Sequence, residues 1–225
     1  QRTGFCAPIY LNTRYEFHLM PPEIPKDMPV GVYRKTFTLQ NPAKKYILSF
    51  LGVAPCLDVY VNGKYVGYSE GSHNTAEFDI TRYLTEGENE LVCVVHRYST
   101  GTYLECQDMF RNNGIFRDVL LRVSDPEDLW DLDARTEKSG NRYTLTLAAQ
   151  TLSDTEVTFT LEGHGLSRTA TVRTRDQTAQ AVFPGLEVME WSAENPVLYN
   201  VYVETASGCV KERLGFRTVE IQGDR

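Results

Sequence analysis

The dipeptide Asn62-Gly63 restricts the fold of this chain more than any other feature of its sequence. Asn and Gly both tolerate positive φ, as the central positions of a type I′ turn require, and β-forming residues flank them. Cys56-Leu57-Asp58-Val59-Tyr60-Val61 leads in and Lys64-Tyr65-Val66-Gly67-Tyr68 leads out, so the segment is read as a β-hairpin. Its neighbours carry related signals. Residues 32–39 alternate in part and 46–51 form an apolar run, with the turn residues Asn41-Pro42 between them. Residues 75–80 alternate so that Ala76, Phe78 and Ile80 face a core; residues 81–84 make one helical turn ended by Glu86-Gly87. Residues 90–95 then rise as another buried strand. Short strands at this spacing predict a jelly-roll β-sandwich.

Between residues 98 and 119 the strand pattern breaks. The connection carries the carboxylates Glu105, Asp108 and Asp118, the cations Arg111 and Arg117, and the aromatics Tyr98, Tyr103, Phe110 and Phe116. It re-enters an apolar strand at Val119-Leu120-Leu121. Loops this long and this rich in charged and aromatic side chains commonly carry function.

At 225 residues the chain is long enough for two β domains. Asp125-Pro126-Glu127-Asp128 marks the expected boundary, which places one domain at 1–124 and a second at 126–220. Beyond it, residues 143–149, 156–161, 168–172, 180–183, 198–204 and 210–216 fit strands. About seven strands in roughly 95 residues suit an immunoglobulin-like sandwich, here without the cysteine pair and core Trp of antibody domains. The expected fold class is therefore all-β: a jelly-roll β-sandwich followed by an immunoglobulin-like β-sandwich.

The formal net charge of -7 argues against a nucleic-acid partner. The acidity sits in residues 126–225, with 10 Lys+Arg against 16 Asp+Glu, and is read as a solvated surface. No apolar run approaches the length a bilayer requires, so no membrane partner is expected. Five scattered cysteines without C-x-x-C spacing point to free thiols in a reducing, cytoplasmic setting. The four histidines lie far apart without metal-ligand spacing, and neither a nucleophile elbow nor a phosphate loop is present. The chain begins at Gln1 with no initiator Met or apolar signal region and ends just past a strand-like run, so it is expected to be cut from a longer polypeptide.

Several motifs carry a resemblance. Residues 61–68 (VNGKYVGY), 77–80 (EFDI), 86–89 (EGEN), 103–105 (YLE), 107–111 (QDMFR) and 114–119 (GIFRDV) resemble the sugar-binding jelly-roll domain of family two β-galactosidases. Residues 191–199 (WSAENPVLY) and 215–217 (GFR) are similar to the end of the immunoglobulin-like domain that follows it in that family. The resemblance covers nearly the whole chain.

This resemblance implies that the two sandwiches precede a (β/α)₈ barrel, which supplies the acid/base and nucleophile glutamates of a retaining glycosidase. It also implies an earlier strand, around a tryptophan-rich segment, that is absent here. The chain is thus expected to be a non-catalytic N-terminal fragment, inactive alone, of an enzyme that hydrolyses terminal β-galactosides and is a homo-oligomer. By the same resemblance Asn12 lines the galactose pocket, and Asp108 binds the galactose and ligates a monovalent cation, sodium; magnesium belongs to the barrel. The partners so implied are the β-galactoside and the chain's own C-terminal barrel. The same part of a β-glucuronidase or β-mannosidase, or a stand-alone carbohydrate-binding module, are the alternatives.

Each residue also has a plainer reading. Asp108 can be a loop carboxylate paired with Arg111 or Arg117, and Asn12 can cap a turn. Glu105 is assigned a structural role, pairing an arginine. Glu105 and Asp108 lie three residues apart in one loop, too close in the chain to be read as the two carboxylates of a glycosidase. Trp191, before the turn residues 192–196, is read as an anchor between modules in preference to a sugar-stacking platform.

Overall fold

The computed structural model of the protein describes residues 9–10, 18–41, 44–105, 110–111, 113–221 and 223. It is all-β, as expected, and divides into two compact units, Gln1–Ser124 and Asp125–Arg225.

In the first unit β1 (Ile9–Tyr10) is followed by β2 (Val30–Leu39), β3 (Lys45–Phe50) and the short β4 (Val53–Ala54). Then come β5 (Cys56–Val61), β6 (Lys64–Glu70), β7 (Ala76–Asp79) and β8 (Gly87–His96), with a 3₁₀ turn at Thr81–Tyr83 before β8. A single-turn helix, α1 (Gly101–Leu104), opens the long connection, which closes through β9 (Phe110–Arg111), β10 (Gly114–Ile115) and β11 (Val119–Ser124). Two antiparallel sheets, ordered β2-β8-β5-β6 and β11-β3-β7, carry the unit.

The hairpin at Asn62-Gly63 forms as its chemistry requires, with φ of 50° and 73° at the two turn residues. On the inner face of β5, Leu57, Val59 and Val61 alternate into a core that also takes Leu48 and Phe50 of β3 and Cys93 and Val95 of β8. Asn62 is more than a turn residue. Its Nδ2 donates to the Tyr83 carbonyl (2.9 Å) and to Asn89 Oδ1 (2.8 Å), and its Oδ1 accepts from the Glu90 amide (2.9 Å). The turn is thereby tied to the start of β8.

The second unit contains β12 (Leu129–Ser139), β13 (Arg142–Thr151), β14 (Glu156–Gly163), β15 (Leu166–Arg173), β16 (Thr178–Leu186), β17 (Tyr199–Glu204) and β18 (Cys209–Leu214). They form one sheet ordered β12-β13-β16 and another ordered β15-β14-β17-β18. Period-two alternation produces the packing: Leu145, Leu147 and Ala149 of β13 meet Val157, Phe159 and Leu161 of β14 and Val201 and Val203 of β17 in one core. Phe216 closes it, with its ring edge-on to both Tyr143 and Tyr199.

Trp191 packs on residues of this unit. Its amide donates to the Phe216 carbonyl (2.8 Å), the Arg217 guanidinium lies over its ring, and a Cβ at Gly215 would stand 2.8 Å from its own Cβ. Gly215 is thus required by the close approach of this indole.

Candidate functional site

The connection from Arg97 to Asp118 is built from its two ends inward. At the entry, the backbone amide of Gly101 donates to Glu70 Oε1 (2.6 Å), and the Thr100 hydroxyl donates to the same oxygen (2.9 Å). The Tyr68 hydroxyl holds the other oxygen at 3.0 Å. Partial burial works against the charge on Glu70, but these donors outweigh it and hold the carboxyl below its ordinary range. The Ser99 hydroxyl acts in the same direction from alongside, although its Oγ is buried and short of a formed hydrogen bond. Gly101 suits its place because a Cβ there would lie 3.1 Å from Glu70 Oε1.

At the far end of α1, Glu105 is held by Ser72. The Ser72 amide donates to Oε1 (2.8 Å) and the Ser72 hydroxyl to Oε2. Among the described residues the partner of Glu105 is a buried serine, whose two donors match the two carboxylate oxygens. Tyr103 ties the same turn to the segment before β2, donating to the Glu23 carbonyl at 2.5 Å.

The exit is anchored on the same region. Arg117 Nη1 donates to the carbonyls of Leu51 (3.2 Å) and His73 (3.3 Å), and the Phe116 ring packs on the His73 imidazole at 5.4 Å. Gly52 lets this happen, since a Cβ there would meet the Phe116 ring at 2.8 Å.

Asn12 and Asp108 lie outside the described residues. Their neighbours are placed: β1 pairs antiparallel with β9, Tyr10 opposite Phe110 and Ile9 opposite Arg111. Asn12 follows Tyr10 by two residues and Asp108 precedes Phe110 by two, so the chain leading to one runs beside the chain leading from the other.

Other titratable groups have structural partners. His96 Nε2 lies 2.8 Å from Asp58 Oδ2 on the outer face of the β2-β8-β5-β6 sheet. Burial pushes the Cys93 thiol up to about 12, and raises that of Cys56 as well. Among the described residues Cys56, Cys93 and Cys209 are free thiols, and no group of three or more His, Cys, Asp or Glu could hold a metal ion. No described helix is long and apolar enough to cross a membrane.

Glu70 and Ser72 are described partners of this connection that sequence reasoning missed. They contact the loop across 31 and 33 positions, and no local pattern announces such a pairing.

The all-β fold of this chain recurs in glycosidases of known structure. The fold is shared with a β-glycosidase from Bacteroides vulgatus (TM-score 0.65, 23% identity, 85% of this chain and 26% of that one). It is shared equally with a β-glucuronidase from Bacteroides uniformis (TM-score 0.64, 21% identity, 84% of this chain and 26% of that one). The family profile described as "Glycosyl hydrolases family 2, sugar binding domain" matches residues 1–125, and the chain belongs to that family. Over 222 residues the sequence is 37% identical to a β-galactosidase from Actinobacillus pleuropneumoniae, covering 99% of this chain and 22% of that protein. A β-galactosidase from Streptococcus thermophilus is 37% identical over 243 residues, covering 97% of this chain and 23% of the relative. The chain thus spans under a quarter of the length of these curated relatives.

Proposed function

We propose that the chain is the N-terminal, non-catalytic part of a β-galactosidase that hydrolyses terminal β-galactosides with retention. The observation that carries this reading is the 37% identity to β-galactosidases, which runs through both units and not only through the sugar-binding domain. The catalytic glutamates of the parent lie in a barrel beyond residue 225, and the share of this chain is to wall one side of the galactose pocket. Asp108 accepts hydrogen bonds from the sugar hydroxyls, as an ionised carboxylate can, and Asn12 lines the same pocket. The pairing of Tyr10 with Phe110 supports a joint role, because each of these two strands lies two residues from one of the pair.

A carboxylate is a hard oxygen ligand suited to sodium, and the cation assignment rests on Asp108 alone. The described carboxylates nearby, Glu70 and Glu105, are occupied by Gly101, Thr100 and Ser72 and are not offered as ligands. Magnesium belongs to the barrel. The parent is proposed to be a cytoplasmic homo-oligomer.

The test is hydrolysis of nitrophenyl galactoside, glucuronide and mannoside by the intact polypeptide, beside the 225-residue chain alone. The intact protein should prefer the galactoside and lose turnover on Asp108→Asn, while the chain alone shows none. Preference for the glucuronide would replace the reading with the corresponding enzyme. Tight sugar binding by the chain alone would instead favour a stand-alone carbohydrate-binding module.

A further inference from the structure

We infer that four consecutive residues, Glu70-Gly71-Ser72-His73, are the positioning element of the loop that carries Asp108. The inference rests on the reading of that loop as part of a galactoside site. It goes beyond that reading by assigning a role to residues that touch neither sugar nor reacting atoms.

The two flanks of the loop are far apart in the chain but converge on these four residues. Glu70 receives Gly101 and Thr100 at the start of α1, and Ser72 holds both oxygens of Glu105 at its end. His73 receives Arg117 through its carbonyl and Phe116 through its ring. Ser72-His73 thus contacts both Glu105 and Arg117, which lie twelve positions apart, while Arg117 is held as well by the Leu51 carbonyl.

The support itself is rigid. Ser72 is 4% exposed, and Gly71 sits at φ 108°, a conformation that disfavours any side chain. The Asn74 amide closes the turn on the Gly71 carbonyl at 3.1 Å. Both ends of the turn are continuous with sheet: β6 ends at Glu70 and β7 begins at Ala76. Holding the flanks of a binding loop to such a turn is one way a supporting shell preorganises a binding group.

Glu70 and Ser72 should consequently act on substrate affinity without acting on the chemistry. In the intact polypeptide, Ser72→Ala and Glu70→Ala should each raise KM for nitrophenyl galactoside about tenfold, a cost typical of lost supporting contacts, with kcat little changed. Glu70→Gln keeps an acceptor for the Gly101 amide and should recover most of the loss. Hydrogen exchange in peptides covering both 99–105 and 113–118 should accelerate in the Ala variants, while peptides from β5 and β8 stay protected.

Unchanged exchange in the two flanks, or an unchanged KM despite faster exchange, overturns the inference. So does protection lost throughout the first unit, which would mark a general fold defect and not a positioning one. Asp108→Asn is measured alongside to separate the two readings. If Asp108→Asn is silent, the site reading fails. If it is severe while Ser72→Ala and Glu70→Ala are silent, only the positioning role fails.

Discussion

Asn89 shows how a polar residue can hold a β-sandwich from inside. It is 1% exposed, yet all its hydrogen-bonding capacity is used: Nδ2 donates to the carbonyls of Thr85 (2.8 Å) and Gly87 (3.0 Å), and Oδ1 accepts from the Thr85 amide and from Asn62. Removing the amide leaves several buried groups without partners, so Asn89→Ala should destabilise the first unit by about 3 kcal/mol, measured by denaturant unfolding. Asn62→Gly, which preserves the turn but not the side-chain bonds, should cost less, and equal losses would contradict the central place given to Asn89. The sequence announced Asn62 through its glycine neighbour, because turn chemistry is local. It did not announce Asn89, since a residue of Glu88-Asn89-Glu90 reads as a surface position until the fold turns it inward. The same limit hid Glu70, and it hid Ser72 as a partner of Glu105.

Sequence reasoning recovered the strands with one strongly apolar face, such as β5, β13 and β14, and also the more exposed β15 and β18. The whole of β12 was missed. Its inward set of Leu132, Ala134 and Thr136 is small and mixed, while Asp131, Asp133, Arg135 and Glu137 make the segment read as a charged linker. It forms nonetheless because β13 offers a strongly apolar neighbour to pair with, a gain no single-strand pattern contains. β11 presents the opposite case. Val119, Leu121 and Val123 stand opposite Phe50, Leu48 and Tyr46, on the core face of their sheet, yet are 38%, 37% and 46% exposed. On the other sheet the edge strand β2 shows the same condition at Tyr33, which pairs with the buried Cys93 but is 39% exposed. β7 runs beside β6, so β2 and β11 are the edge strands on the opposite side of the sandwich, with Val119, Leu121 and Val123 of β11 part-exposed. An edge with an apolar row invites pairing with another strand, and Arg122 is the one charge on β11. The 225-residue chain should therefore self-associate at micromolar concentration, and Leu121→Lys should shift it to monomer in sedimentation velocity. Monomeric behaviour of both would show that this edge is not sticky.

At the scale of the molecule, the two cores are closed sets: one is built from residues between Leu39 and Val95, the other from residues between Tyr143 and Phe216, with none in common. The chain divides into compact units at Asp125, where Asp125-Pro126 interrupts the strand pattern. The long connection of the first unit was legible as a break in the strand pattern but not in its anchoring, which depends on contacts 30 or more residues away. All those anchors, from Glu70 to Arg117, belong to the first unit. A lesion in the second core should then spare them. Phe159 is fully buried between the sheets of the second unit, and Phe159→Ala should cost that unit about 4 kcal/mol through lost burial and the cavity left behind. Measured by hydrogen exchange, peptides from β13, β14, β16 and β17 should lose protection. Those from β5 and β8, and the Gly101 amide held by Glu70, should keep theirs, because opening is cooperative within a core and not across two cores that share no side chain. Parallel loss of protection in both units would instead mean that the first sandwich draws its stability from the second, and that the loop is supported by the whole chain and not by its own sandwich.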